Sequence, residues 1–140
     1  MSDARVVYQV GAWDPFHVGH LNVLQTAAGL GDILVVGVAT DDHIRAYKHR
    51  EPRAPFCDRI RIMAELRCVD FAVPYRGPED LAPYELFNVN VLVLGPLAGR
   101  GDSTHAIRQK EAYELIQSRG VRIVRVPRTP NISSTQIRGE

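Results

Sequence analysis

The sequence has little of several features that mark specialised classes of protein. Its 140 residues include only two cysteines, Cys57 and Cys68, which fits a reduced cytoplasmic protein and not a disulfide-stabilised scaffold. No apolar run reaches the length of a membrane span, and we see no secretory segment, so we expect a cytoplasmic protein without a membrane partner. The formal net charge is only +1, so the chain as a whole has no electrostatic attraction to nucleic acid.

What the sequence does contain is a regular alternation of strand and helix patterns. With 45% hydrophobic and 24% charged residues, it has ordinary globular composition, and its length predicts one domain over residues 1–140. Apolar and β-branched runs predict strands at 5–10, 33–39, 69–73, 91–94 and 121–126. Helical spacing predicts helices at 18–30, 43–47, 56–66, 83–87, 106–119 and 133–137. The fold class predicted is α/β, a single-domain, doubly wound, five-stranded parallel sheet of the Rossmann type, in which ligands bind beyond the carboxyl ends of the strands.

The turn between the first strand and the first helix carries the strongest functional signal. It reads Gly11-Ala12-Trp13-Asp14-Pro15-Phe16-His17-Val18-Gly19-His20. Gly11 and Gly19 would let backbone approach a ligand closely, and a helix that starts near Val18 would aim unpaired N–H groups and its positive dipole at the same point. His17 and His20 beside such a helix end suit a polyphosphate. From the residues alone, a partial metal site or two unrelated surface histidines stay open as alternatives, although neither cysteine has the spacing of a zinc ligand.

This turn resembles the His-x-Gly-His signature of the cytidylyltransferase-type nucleotidyltransferases, in which Gly-x-Phe-Asp precedes the histidines. Trp13 stands where phenylalanine is usual. A second segment, Arg128-Thr129-Pro130-Asn131-Ile132-Ser133-Ser134-Thr135, resembles the Arg-Thr-x-Gly-Ile-Ser-Thr-Thr motif of the glycerol-3-phosphate cytidylyltransferases within that family. Hydroxyl and N–H groups at a helix start, beside a guanidinium, suit phosphate oxygens. The resemblance runs from the first strand to the last predicted helix.

The resemblance assigns roles to individual residues. It implies catalytic roles for His17, His20, Lys48 and Arg128, which would hold the negative charge that develops as pyrophosphate leaves. It implies nucleotide binding by Gly11, Ala12, Trp13, Asp14, Gly19, Arg59, Arg67, Gly95, Thr129, Ile132, Ser133, Ser134 and Thr135. We expect Lys48 in the loop after the second strand, and Arg59 and Arg67 near the two ends of the helix that follows. For these two arginines a solvated or salt-bridged surface role stays open.

The reaction implied is transfer of CMP from CTP to a small phosphate- or phosphonate-bearing acceptor, with release of pyrophosphate. A phosphate oxygen is already a nucleophile, so in-line attack needs neither a covalent intermediate nor a general base. The family implies Mg²⁺ on the triphosphate; beyond Asp14 we see no carboxylate cage, so we expect no metal site made by the protein.

Basic residues suggest where the acceptor binds. Seven Lys or Arg residues lie between positions 45 and 67 against three acids, a local excess that predicts an anion site. Several relatives carry an acidic residue after the glycine that ends the fourth strand, whereas this chain places Arg100 in the loop that follows. We therefore expect Arg50 and Arg100 to hold the anionic acceptor.

Two other functions stay open from the sequence. One is an adenylyltransferase on a similar scaffold, as in FAD synthesis or sugar-phosphate adenylylation. The other is a nucleotide-binding module without turnover, although such a module has no need of both His17 and His20. The resemblance also implies a homodimer.

Overall fold

A computed structural model describes residues 3–96 and 98–127, and in this part of the chain five strands form one all-parallel sheet. The strands are β1 (Val6–Gly11), β2 (Ile33–Ala39), β3 (Phe71–Tyr75), β4 (Val91–Leu94) and β5 (Arg122–Arg125). The helices are α1 (Val18–Ala28), α2 (Asp41–Lys48), α3 (Phe56–Ala64), α4 (Ala82–Phe87) and α5 (Thr104–Ser118). The sheet order is β3-β2-β1-β4-β5, so the chain runs outward from β1 and then returns to its other side. This confirms the predicted α/β fold and puts the switch point between β1 and β4.

Apolar side chains cover both faces of the central strands. On one face, Val7 and Val36 pack in a cluster with Leu24 of α1 and Met63 of α3. On the other face, Tyr8, Val35 and Leu92 pack with Tyr113 and Ile116 of α5. Each fully buried aliphatic side chain contributes about 1.5–3 kcal/mol, so the two layers together hold the helices to the sheet.

The third strand differs from its prediction, which was residues 69–73. The structure places β3 at Phe71–Tyr75, so that Pro74 lies inside a strand. The sheet tolerates this proline because β3 is an edge strand that pairs only with β2, and an edge position needs no N–H on its outer side. The carboxylate of Asp70 accepts the N–H of Leu34 at 2.8 Å and directs the chain into the strand.

The first helices begin and end for local reasons. Thr40 caps α2, its hydroxyl accepting the N–H of His43 at 3.2 Å, and α2 then continues to Lys48. His49 ends α2 with a left-handed backbone at φ 56°. Lys48 was expected in a loop, and this was wrong: it is the last residue of α2, where a cation is favoured by the helix dipole. Within the described residues, no helix combines the length and apolar character needed to cross a membrane.

Candidate active site

Several functional segments meet at the edge of the sheet where the strands end. The turn after β1, the start of α2 after β2, and Gly95 after β4 all follow strand ends, and all strands are parallel. The helices α1, α2 and α5 therefore begin at this carboxyl edge. Their N-termini give this edge a positive electrostatic potential that does not depend on side-chain charges.

The histidine pair caps the first helix in a reciprocal way. His17 is the N-cap of α1; its Nδ1 accepts the N–H of His20 at 3.3 Å, and the Nδ1 of His20 accepts the N–H of His17 at 3.3 Å. The two rings stack with centroids 3.7 Å apart and planes 18° from parallel. A ring nitrogen that accepts a hydrogen bond carries no proton, so each neutral imidazole has its proton on Nε2. The pair is therefore fixed as two Nε2–H donors.

Burial keeps both rings uncharged. It lowers the pKa of His17. Burial also lowers the pKa of His20 to about 3, because a protonated His20 would lose solvation and would be repelled by Lys48 and by any proton on His17. The Nε2 of His17 is buried and has no hydrogen-bond partner among the described residues. Leaving a buried donor unpaired costs about 1–3 kcal/mol, which an anionic oxygen at this point would recover. The geometry thus suits a phosphate group.

Trp13 packs against the histidine pair. Its indole Nε1–H donates to the carbonyl of Gly37 at 3.1 Å, and the rings of Trp13 and His20 form a T-shaped contact with centroids 5.2 Å apart. Trp13 has a left-handed backbone at φ 54°, which costs a bulky residue on the order of 1–3 kcal/mol and is offset by this anchoring. A Cβ on Gly11 would lie 2.9 Å from the indole. The small size of Gly11 therefore admits the Trp13 ring, and the predicted approach of a ligand at Gly11 stays a prediction.

Asp14 holds the loop between α2 and α3. It is buried, and its two carboxylate oxygens accept the N–H groups of Arg53 at 2.7 Å and Ala54 at 3.1 Å. The loop so fixed carries Arg50, whose guanidinium donates to the carbonyl of Glu51 at 3.2 Å. One terminal nitrogen of Arg50 is buried without a partner in the described part of the chain. Asp14 therefore holds this loop against the turn after β1.

Arg59 is buried at 2% exposure and faces the protein interior. Its Nε donates to the carbonyl of Ala54 at 2.9 Å, and one terminal nitrogen donates to the carbonyls of Ala12 at 3.0 Å and Ala39 at 2.7 Å. The other terminal nitrogen pairs with Asp41 at 2.6 Å. Four N–H donors are thus used to join the turn after β1, the end of β2, the start of α2 and the loop. Of the roles left open for Arg59, the structure shows a salt bridge. Its pair with Asp41 lies inside the protein and not on the surface.

The remaining predicted cations lie in different places. Lys48 is half-buried and close enough to the histidine pair for its charge to lower the pKa of His20. Arg100 is exposed in the loop before α5. Arg67 is exposed in the turn that leads into β3, which is the amino end of the sheet, so the structure does not bring it to the carboxyl edge.

The other predicted nucleotide-binding residues divide into two groups. Ala12 and Gly19 are buried within the turn and the first turn of α1, and Gly95 is exposed after β4 with open space where a Cβ would stand. The second group lies outside the described residues: Arg128, Thr129, Ile132, Ser133, Ser134 and Thr135. Their roles stay predictions.

The sequence analysis missed a cavity of about 160 Å³ at the same edge. Its walls include His43 and Tyr47 of α2, Tyr75 of β3, and His105 and Tyr113 of α5. The ring of His105 lies 4.5 Å from that of Tyr47 and 5.6 Å from that of His43, centroid to centroid. A signal was available: α2 and α5 both carry an imidazole in the first turn of a helix that follows a strand.

A doubly wound parallel sheet whose carboxyl edge presents two histidines at a helix start is the arrangement of an α/β protein suited to a phosphate-bearing ligand. Residues 8–140 match the family model described as cytidylyltransferase-like, so the chain belongs to this family of nucleotidyltransferases.

Curated relatives and a solved structure agree with this assignment. The chain is 37% identical over 120 residues to the bifunctional protein HldE of Citrifermentans bemidjiense, which covers 85% of this chain and 23% of that protein. It is 40% identical over 89 residues to FAD synthase of Thermococcus onnurineus, covering 61% and 58% of the two chains. The lipopolysaccharide core biosynthesis protein from Thermoplasma volcanium superposes with a TM-score of 0.72 at 26% identity, covering 90% of this chain and 98% of that one. The chain spans about a quarter of the length of HldE.

Proposed function

We propose that this protein transfers a nucleotidyl group from a nucleoside triphosphate to a small phosphate- or phosphonate-bearing acceptor and releases pyrophosphate. The observation that carries the proposal is the reciprocal capping of His17 and His20. Because both Nδ1 atoms accept backbone N–H groups, both rings can only donate through Nε2, at the positive end of α1. Donors that are oriented before the reaction stabilise developing charge without reorganisation.

The proposed step balances without a covalent intermediate. An acceptor oxygen attacks the α-phosphorus, the bond from that phosphorus to the bridging oxygen breaks, and pyrophosphate leaves with the electron pair. A phosphate or phosphonate oxygen is deprotonated at neutral pH, so no general base is required. His17, His20 and Lys48, with Arg128 as predicted from the sequence, would stabilise the charge on the leaving group.

CTP is the first candidate donor, and ATP is the second. The Arg128-Thr129 pair before Ile132-Ser133 supports CTP through its resemblance to the glycerol-3-phosphate cytidylyltransferases. The similarity to a protein named FAD synthase supports ATP, because FAD contains an adenylyl group.

We propose that a divalent cation such as Mg²⁺ arrives with the triphosphate. Within residues 3–96 and 98–127, no three His, Cys, Asp or Glu side chains are grouped as metal ligands. The oxygens of Asp14, the one carboxylate of the histidine turn, accept the backbone N–H groups of Arg53 and Ala54. These residues do not fit an ion held by the protein itself. The homodimer and the cytoplasmic location remain predictions, the first of which sedimentation can test.

Pyrophosphate release tests the proposal directly. CTP and ATP are each offered with a panel of small phosphates and phosphonates in the presence of Mg²⁺. We expect pyrophosphate release that depends on both substrates and is greater with CTP. Greater release with ATP would contradict the choice of CTP and favour an adenylyltransferase. Nucleotide binding without any release of pyrophosphate would favour a nucleotide-binding module that lacks turnover.

A further inference from the structure

We propose that Gln109 and Arg125 are positioning residues of the active site, which hold the loop that follows β4 at two separate points. This loop, the β4–α5 loop, is described at positions 95–96 and 98–103. Two residues with predicted roles lie in it, Gly95 for the nucleotide and Arg100 for the acceptor. Gln109 and Arg125 act on the substrates only through the backbone that they hold. The inference rests on the proposed function and deepens it.

The β4–α5 loop depends on outside contacts to keep one conformation. It joins the end of β4 at Leu94 to the start of α5 at Thr104, and three of its nine positions are glycine. Two of these, Gly99 and Gly101, have positive φ angles of 74° and 104°. Glycine loses more conformational entropy than any other residue when its backbone is fixed. Contacts that order this loop therefore offset an unusually large entropic cost.

Arg125 holds the beginning of the β4–α5 loop. It is the last residue of β5 and lies opposite Leu94 in the parallel register with β4. Its Nη1 donates to the carbonyl of Gly95 at 3.0 Å and lies 3.5 Å from the carbonyl oxygen of Pro96. A charged donor makes a stronger hydrogen bond to a carbonyl than a neutral donor does. The guanidinium therefore fixes the direction in which the chain leaves β4.

Gln109 holds a second point, farther along the β4–α5 loop. Its Oε1 accepts the N–H of Gly99 at 3.1 Å, and Tyr113 lies one turn further along α5. A Cβ on Gly99 would come within 3.1 Å of two carbon atoms of the Tyr113 ring. The backbone at Gly99 therefore rests on this ring while Gln109 holds its N–H. Because Arg100 is the next residue, these contacts set where its side chain begins.

The β4–α5 loop stands between two spaces. On one side is the cavity of about 160 Å³, which Gly95 and Ala98 line. On the other side is an open groove of about 370 Å³, which Gly99 and Arg125 line, and Tyr113 lines both spaces. Space on both sides means that core packing holds this loop less firmly than it holds the strands. Its position therefore depends on the two hydrogen-bonding side chains.

The two anchors and Tyr113 form one cluster. Burial raises the pKa of Tyr113 to about 12, and the charge of Arg125 and the side chain of Gln109 both oppose this rise because they lie near the phenol. A different role for Arg125 is that of an exposed charge that keeps the outer edge of β5 from pairing with another chain. Arg122, also exposed on β5, can serve that second role as well. A comparison of the two arginines separates the two roles.

Amide hydrogen exchange, followed by NMR in the full chain, tests the Gln109 contact without any substrate. Gln109→Met removes the acceptor at similar size, whereas Gln109→Glu keeps an acceptor oxygen. We expect the N–H of Gly99 to exchange about tenfold faster in Gln109→Met and at close to the original rate in Gln109→Glu. An unchanged exchange rate in Gln109→Met would overturn the role of Gln109.

Pyrophosphate release tests whether the two anchors serve different substrates. Arg125→Met should raise the KM for the nucleotide about fivefold and leave the KM for the acceptor unaltered, whereas Gln109→Met should do the reverse. The value of kcat should change little, because an ordered loop serves the ground state and the transition state equally. Arg125→Lys keeps a charged donor and should restore most of the nucleotide KM.

Arg122→Met is the matched control, because it removes an equal charge from the other end of β5. It should change neither KM. Equal effects of Arg122→Met and Arg125→Met, or an unchanged nucleotide KM in Arg125→Met, would overturn the positioning role of Arg125.

Calorimetric titration with a non-hydrolysable CTP or ATP analogue separates this inference from the proposed function. Weaker binding to Arg125→Met than to the parent, with no pyrophosphate release by the parent for any acceptor, would keep the positioning role and overturn nucleotidyl transfer. Pyrophosphate release by the parent, with the same affinity and the same KM values in every variant, would overturn the positioning role and leave nucleotidyl transfer standing.

Discussion

Two groups of histidines lie at the same edge of the sheet and are held in different ways. His17 and His20 are three residues apart, and each imidazole accepts a backbone N–H from the other's residue. His43 and His105 come from two different helices and meet only ring to ring, 5.6 Å apart. Backbone capping fixes which nitrogen carries the proton, whereas ring contact leaves both nitrogens able to adapt. The first group therefore suits an anion of fixed geometry, which the second group is not arranged to bind.

The largest effect on stability is expected at Arg59, which joins the turn that carries His17 and His20 to α2, the helix that carries His43. Arg59→Met removes the guanidinium that ties the turn after β1 to α2, and it leaves Asp41 and three carbonyls without their donor. Breaking one partner of a buried ion pair costs about 3–5 kcal/mol, so chemical denaturation should show a loss of that size.

Arg67→Met serves as the control, because Arg67 is exposed at the other end of the same segment. It should change the free energy of unfolding by no more than about 0.5 kcal/mol. Similar losses in both variants would contradict the structural role of Arg59.

The next effect concerns the histidine turn alone. His17→Ala or His20→Ala removes one oriented Nε2–H donor and should lower turnover by two orders of magnitude or more, roughly 3 kcal/mol of transition-state stabilisation. Pyrophosphate release measures the rate, and circular dichroism confirms that the variant is folded. His49→Asn is the matched control: His49 is exposed, and asparagine tolerates its left-handed backbone. A folded double variant that remained active would overturn the assignment of the pair.

A smaller effect is expected from Trp13→Phe, which introduces the residue usual in the family. Phenylalanine keeps the ring but removes the hydrogen bond to the carbonyl of Gly37. An unpaired buried carbonyl costs about 1–3 kcal/mol, and thermal unfolding should report a loss within that range. No change in stability would show that the indole N–H is dispensable.

The smallest effect is a dependence of stability on pH that both groups share. The pKa of His20 falls to about 3 and that of His43 to about 4, both below the ordinary value of 6.5. Below pH 6.5 the unfolded chain then binds more protons than the folded chain. The contribution of the two neutral histidines to the free energy of unfolding is therefore complete above pH 6.5 and is lost as the pH falls toward their pKa values in the folded protein. We expect the Tm to fall by a few degrees between pH 7 and pH 5.5. His20→Gln should flatten that slope, and an unchanged slope in both His20→Gln and His43→Gln would contradict the neutral state of the rings.

Much of the fold was predictable because its signals are local. The apolar runs of β1, β2 and β4 and the turn from Gly11 to His20 require only near neighbours in the chain. The position of β3 was predicted two residues early, because only pairing with β2 at an edge makes a strand proline acceptable. Lys48 was placed in a loop because the relatives that the chain resembles carry lysines there, whereas α2 continues one residue beyond the predicted end at Tyr47 and stops only at His49, whose backbone is left-handed.

The sequence by itself determined the parallel α/β architecture, the family and the histidine pair, since each depends on residues a few positions apart. The tertiary structure decided that Arg59 is buried and links several segments by hydrogen bonds, and that Arg67 lies at the opposite end of the sheet. It also decided that Gly11 makes room for Trp13, and that His43 meets His105. Those outcomes depend on which strand ends come together in the fold. A contact between residues far apart in the chain produces no periodic pattern in the sequence from which it could be predicted.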